Sequence, residues 1–169
     1  MVLNEIPKSA HEISAEWLTP ALTLENNQHV SEVIVEELPE GVGFMGEVAR
    51  LNLKFSDETE TTVISKIPTQ VPEIRSMLAP ARIFEREARF FEQAQPLIPD
   101  ITANCLYAAI DTENDDYLLL LEDLSDMREG DQLNGCSIDD ASSALEALAK
   151  LHSTFWGNNN LANFDWLPS

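Results

Sequence analysis

This chain has few basic residues, few thiols and no long apolar run. Of its 169 residues only 10 are Lys or Arg, against 30 Asp or Glu, which gives a formal net charge of −20 at pH 7. A surface this acidic repels nucleic acid and anionic lipid, so neither is an expected partner. The charge reads first as a solvated exterior, with an acidic docking face as the alternative. It gives no help in holding an anionic nucleotide. Any phosphate site must be built locally, from backbone N–H groups, lysine and metal. The two cysteines, Cys105 and Cys136, form neither a CxxC pair nor a ligand cluster. That pattern points to reduced thiols in the cytoplasm rather than a disulfide framework. Residues 1–11 lack an apolar stretch after a basic start, so no secretory signal is expected. The longest apolar runs, 105–110 and 117–121, fall far short of the roughly 20 residues that span a bilayer. There is no internal repeat and no low-complexity tract.

What is present suits a folded domain. The chain is 44% apolar with its charge scattered, which argues against wholesale disorder. Its length allows a sizeable core. Ser14 is placed to cap a short helix that carries Trp17, Leu18, Ala21 and Leu22 on one side. Residues 30–38 read as a strand, broken by Pro39-Glu40-Gly41. Residues 47–55 alternate through Val48, Ala49, Leu51, Leu53 and Phe55, a second strand. After the turn at Ser56-Asp57-Glu58, residues 61–67 form a third, ended by Pro68. The three make an antiparallel meander. Phe84, Ala88 and Phe91 recur at helical spacing within 80–95, and Pro96 and Pro99 stop that helix. Residues 105–110 and 117–121 are two further strands around an acidic turn. A polar linker, 122–135, precedes a helix over 138–156. Ser137 caps that helix, with Asp140 at the position where a capping box prefers Glu or Gln. Its apolar stripe is Ile138, Ala141, Leu145, Leu148, His152 and Phe155. The expected fold is α+β: a five-stranded antiparallel sheet with one helix inserted after the third strand, and a further helix at the end.

Chemistry is concentrated in Gly41-Val42-Gly43-Phe44-Met45-Gly46-Glu47-Val48, read with Lys66 and Glu87. A dinucleotide fingerprint would open a helix whose N-terminus holds the pyrophosphate. Here the following residues alternate as a strand. A glycine loop between antiparallel strands that continues Gly-x-Val is the kinase pattern, with Val48 set to pack on an adenine face. Gly41, Gly43 and Gly46 would let the backbone approach phosphates without a Cβ in the way. A plain glycine hairpin is the alternative. Lys66 closes Val63-Ile64-Ser65-Lys66, where a kinase has Val-Ala-Ile-Lys. Ile64, bulkier than alanine, would narrow the adenine side. The alternative for Lys66 is an ordinary strand lysine, although lysines are scarce: Lys8, Lys54, Lys66 and Lys150 are all of them. Glu87 lies between Phe84 and Phe91, on the side that faces the sheet, where a carboxylate needs a cation. Lys66 is the natural one. Glu85 lies about 160° away around a helix, so both cannot face in. A surface pair between Glu87 and Arg86 or Arg89 is the alternative. Glu122 and Leu124, at the end of the fifth strand, hold the hinge positions whose backbone would meet the adenine edge.

Together with Phe84-Glu85-Arg86-Glu87-Ala88-Arg89-Phe90-Phe91, Leu121-Glu122-Asp123-Leu124 and residues 148–156, these motifs resemble the aminoglycoside phosphotransferase/choline kinase-like superfamily, and within it the ecdysteroid-kinase-like branch. The resemblance runs from about Trp17 to Pro168. It implies a protein-kinase-like fold and ATP-dependent transfer to a small-molecule hydroxyl. It carries Lys66, Glu87, the loop glycines and the hinge positions across as ATP contacts. His152 matches a frequent family histidine, for which a packing role is expected. The family's catalytic aspartate follows His-Gly, and its metal-binding aspartate sits in an Ile-Asp-Trp-like motif. His11, His29 and His152 are the histidines of this chain, and none precedes Gly-Asp. Phe164-Asp165-Trp166 comes too soon after the last helix to be the metal motif. The expectation is therefore an ATP-binding N-lobe over 1–125, with a linker and the start of a truncated C-lobe over 126–169. Mg²⁺ would be held only if a C-lobe is supplied. Three readings stay open: an inactive fragment, a split enzyme completed by a C-lobe polypeptide, and a non-catalytic acidic interaction domain that associates through the 138–156 helix.

Overall fold

The computed structural model describes residues 5–25, 27–38, 45–128, 130–131 and 133–167. Ser14 accepts the Trp17 N–H at 3.2 Å and starts helix α1, Ala15–Ala21. Strands β1 (Val30–Glu37), β2 (Gly46–Phe55) and β3 (Glu60–Pro68) form the expected meander. Helices α2 (Pro72–Leu78) and α3 (Ile83–Arg89) follow, then strands β4 (Cys105–Asp111) and β5 (Asp116–Glu122), and last helix α4 (Ile138–Phe155). The sheet is antiparallel throughout, in the order β1-β2-β3-β5-β4. Among the described residues no helix is long and apolar enough to cross a membrane.

Alternation along the strands gives the sheet two faces. One face carries Ala49, Leu51 and Leu53 from β2, Val63 and Ile67 from β3, and Leu118 and Leu120 from β5. Ala10, Ile13 and Leu18 of the N-terminal segment cover it. Two polar contacts fasten this outer layer: Glu47 Oε1 accepts the Ala10 N–H at 2.7 Å, and Thr19 Oγ1 accepts the Val30 N–H at 3.1 Å. The second face is covered at β5 and β4 by α3, through Phe84 and Ala88 on Tyr117 and Leu119. β5 is thus enclosed on both sides. That is why it reads as a continuous apolar run.

The insertion after β3 differs from the single helix expected over 80–95. α2 comes first. It starts with proline at its first position and buries none of its residues, so no apolar stripe marks it in the sequence. A 3₁₀ turn over Ala79–Ala81 follows, and Arg82 adopts a left-handed backbone at φ 51°. α3 therefore begins at Ile83. Pro96 has no N–H to give back to residue 92 and its ring crowds the turn before it. The helix leaves its α geometry in a π turn over Phe90–Ala94 and a 3₁₀ turn over Gln95–Leu97.

α4 forms with its capping box closed. The Ser137 hydroxyl accepts the Asp140 N–H at 3.1 Å, and the Asp140 carboxylate accepts the Ser137 N–H at 3.3 Å. Aspartate thus serves where glutamate is preferred. No described residue of α4 is buried, and its stripe lies open, with Ile138 at 87% and Leu145 at 64% exposure.

Candidate nucleotide site

The second face of β2 and β3 lies beside α3 and brings the predicted residues together. Register places Val48, Lys66 and Leu119 in one row across β2, β3 and β5, and Arg50, Ile64 and Leu121 in the next. Side chains opposite one another in a sheet share a face. Lys66 and Val48 therefore point the same way, with Ile64 beside them. Phe84 and Ala88 seat α3 on Tyr117 and Leu119, and position 87 comes round to the sheet one turn after Phe84. The Lys66 ammonium donates to Glu87 Oε1 at 2.5 Å, each side chain about a quarter exposed. Tyr117 donates its phenol O–H to the other oxygen, Oε2, at 3.0 Å.

The competing carboxylate is held elsewhere. Glu85 takes both Arg82 Nε (2.7 Å) and Nη2 (2.8 Å), and that guanidinium keeps its carboxyl below the usual range against the opposing effect of burial. Arg89 pairs with Glu92 at 2.7 Å. Among the described residues neither Arg86 nor Arg89 forms an ion pair with Glu87.

Of the loop glycines, Gly41 and Gly43 lie outside the described residues. Gly46 opens β2 opposite Pro68. A Cβ there would stand 2.3 Å from the Ile67 carbonyl oxygen, so close strand packing by itself demands glycine at this position. At the far end of β5 the Glu122 N–H donates to the Asn104 carbonyl at 2.9 Å, and its carboxylate accepts the Asn104 N–H and Nδ2 at 3.1 and 2.9 Å. The Leu124 carbonyl accepts the Met127 N–H at 2.9 Å.

Between these two lies Asp123, which sequence reasoning passed over. Arg50 Nε donates to its carboxylate at 2.8 Å and the Ser125 N–H at 2.9 Å, while Arg50 Nη1 reaches Glu36 at 3.0 Å. Burial pushes the Asp123 carboxyl up. The hydrogen bonds from Arg50, Ser125 and Thr62 outweigh it and bring it down to about 2. The segment after β5 is thereby tied to β2 and β1. The signal was present in the sequence: an arginine in strand alternation among Val48, Leu51 and Leu53 needs a partner. Tyr117 was missed for a similar reason. A tyrosine in a buried strand must find a partner for its hydroxyl, which spacing alone does not name.

The remaining expectations fall on the other side of α3. Trp166 is buried and donates its ring N–H to Gln93 at 2.9 Å, and the Asp165 carbonyl accepts from Arg82 at 3.2 Å. Phe90, Phe155, Phe164 and Trp166 line an open apolar groove of about 460 Å³ that contains none of the residues around Lys66. His152 stands exposed at this groove, not packed as expected. Among the described residues no three His, Cys, Asp or Glu gather as a metal group.

The model of the ecdysteroid kinase-like family, a branch of the aminoglycoside phosphotransferase/choline kinase-like superfamily, matches residues 40–157, more than half of the chain. No curated protein matches the chain.

Proposed function

The chain belongs to the ecdysteroid kinase-like family, and on that premise we propose that it forms the nucleotide-binding portion of a small-molecule kinase that uses ATP to phosphorylate a hydroxyl acceptor. One observation carries this reading: Lys66 and Glu87 meet at 2.5 Å on an open sheet face, beside Val48 and below the strand that Gly46 opens. An ammonium has three N–H donors. Among the described residues Glu87 is the partner of this one, which leaves donors for phosphate oxygens. In this assignment Gly41, Gly43 and Gly46 approach the phosphates and Val48 covers the adenine. Ile64 narrows the adenine side, and the backbones of Glu122 and Leu124 meet the base edge. When bound, ATP supplies the phosphoryl group. The residues here bind and orient it and hold the lysine charge in place. No residue among these 169 is assigned to proton removal from the acceptor or to Mg²⁺. The proposed division is 1–125 for the nucleotide half and 126–169 for the linker and the start of a second lobe.

Thermal-shift titration with Mg-ATP tests the proposal. The chain is expected to gain stability as nucleotide is added, by mass action on the folded state. Lys66→Ala removes a charge-assisted contact of about 1.5–3 kcal/mol and should weaken binding roughly 10- to 100-fold. Absence of any shift at millimolar nucleotide, both for the chain alone and with a family C-lobe added, would overturn it. A second reading, an acidic interaction domain on the same scaffold, is favoured by the exposed stripe of α4. It predicts that Lys66→Ala changes nothing.

A further inference from the structure

We propose that Tyr117 is a positioning residue of the nucleotide site. Its phenol fixes the Glu87 carboxylate to receive Lys66, so the pair stands assembled before any nucleotide arrives. The proposal rests on reading this face as a nucleotide site. Lys66 and Tyr117 belong to neighbouring strands of one sheet, Lys66 lying opposite Leu119, two residues along from Tyr117. Glu87 comes from a different layer, on α3. A glutamate on a packed helix keeps its side-chain torsions unless both oxygens are engaged. Lys66 takes Oε1 and Tyr117 takes Oε2. Two groups fixed to the sheet thus hold the helix residue from both oxygens.

Tyr117 suits this role because it has little freedom of its own. It is 1% exposed. Burial, and then the Glu87 charge and hydrogen bond, hold its ionisation well above the ordinary phenol range, so it remains a donor. Its ring packs on Phe84, centroids 5.8 Å apart, and the Arg75 guanidinium lies 5.7 Å over Phe84. Arg75 also donates to the Asn114 and Asp115 carbonyls and to the Asp116 carboxylate, the residues just before Tyr117. The turn before β5, the α3 aromatic and the tyrosine are thereby braced together.

Tyr117→Phe removes the hydroxyl and keeps the ring. With only four lysines in the chain, the ¹⁵N ammonium signal of Lys66 can be assigned by its loss in Lys66→Arg. Tyr117→Phe is expected to shift or broaden that signal and to weaken Mg-ATP binding about fivefold. In a Glu87→Gln background the same change should cost no further affinity. An unmoved Lys66 signal overturns the proposal, as does an equal loss of affinity in both backgrounds. A lowered melting temperature with signal and affinity intact marks a purely structural tyrosine and also overturns it. A moved Lys66 signal in a chain that binds no Mg-ATP, either alone or with a family C-lobe added, supports the positioning geometry and sinks the nucleotide reading instead.

Discussion

Asp123→Asn should flatten the acid limb of the stability curve. In the folded chain this carboxyl ionises at about 2, against 3.8 when unperturbed. Each pKa unit is worth 1.36 kcal/mol, so the gap is a stabilisation of about 2 kcal/mol. Its side chain is only 6% exposed, so solvent screens the Arg50 pair weakly. The folded value is depressed, so this contribution is complete above the unfolded pKa and is lost as pH falls from about 4 to about 2. Asparagine keeps the shape and some hydrogen bonding but cannot titrate. Urea unfolding of both proteins at pH 6, 4, 3 and 2 measures the effect. Other carboxylates will make both curves fall with acid. The difference between them isolates Asp123 and should shrink by about 2 kcal/mol across that window. Parallel curves would show that Arg50 and Asp123 are not coupled as their 2.8 Å contact implies, and the account of the segment after β5 as tied to β2 would fail.

Two other expectations follow from packing. Gly46→Ala places a Cβ 2.3 Å from the Ile67 carbonyl oxygen, a backbone atom that cannot rotate away. Urea titration should show a loss of about 1–3 kcal/mol, and an unchanged midpoint would show that the β2–β3 spacing is looser than it stands. Leu145→Asp with Leu148→Asp changes residues 64% and 43% exposed, so stability should stay within about 0.5 kcal/mol. If α4 is an interaction face, sedimentation should show the parent chain associating as salt screens its −20 charge, and the double variant remaining monomeric.

The strands were legible because each local signal agreed with the next. Valine-rich alternation, a turn at Ser56-Asp57-Glu58 and an acidic turn before Tyr117 all define the same sheet. The Lys66–Glu87 pair was legible for a different reason. Phe84 and Phe91 fix which side of α3 faces the sheet, and a carboxylate on that side requires a cation. α2 was not legible, because a helix that buries nothing leaves no stripe. The break at Arg82 and the π turn after Arg89 were hidden as well, since apolar spacing runs through both.

The sequence by itself determined the five strands, the helix that faces them, the capped final helix and the lysine and glutamate that meet. The strands, the facing helix and the cap are matters of period and capping within a few residues, and the Lys66–Glu87 pair, 21 residues apart, follows from charge on the faces those periods set. Only the tertiary structure decided the partners of Arg50 and Tyr117, the strand contact that demands glycine at 46, and the exposure of α4. Those depend on atoms 21 to 73 residues apart in the chain. Such distances are closed by sheet register and helix packing, which no local pattern encodes.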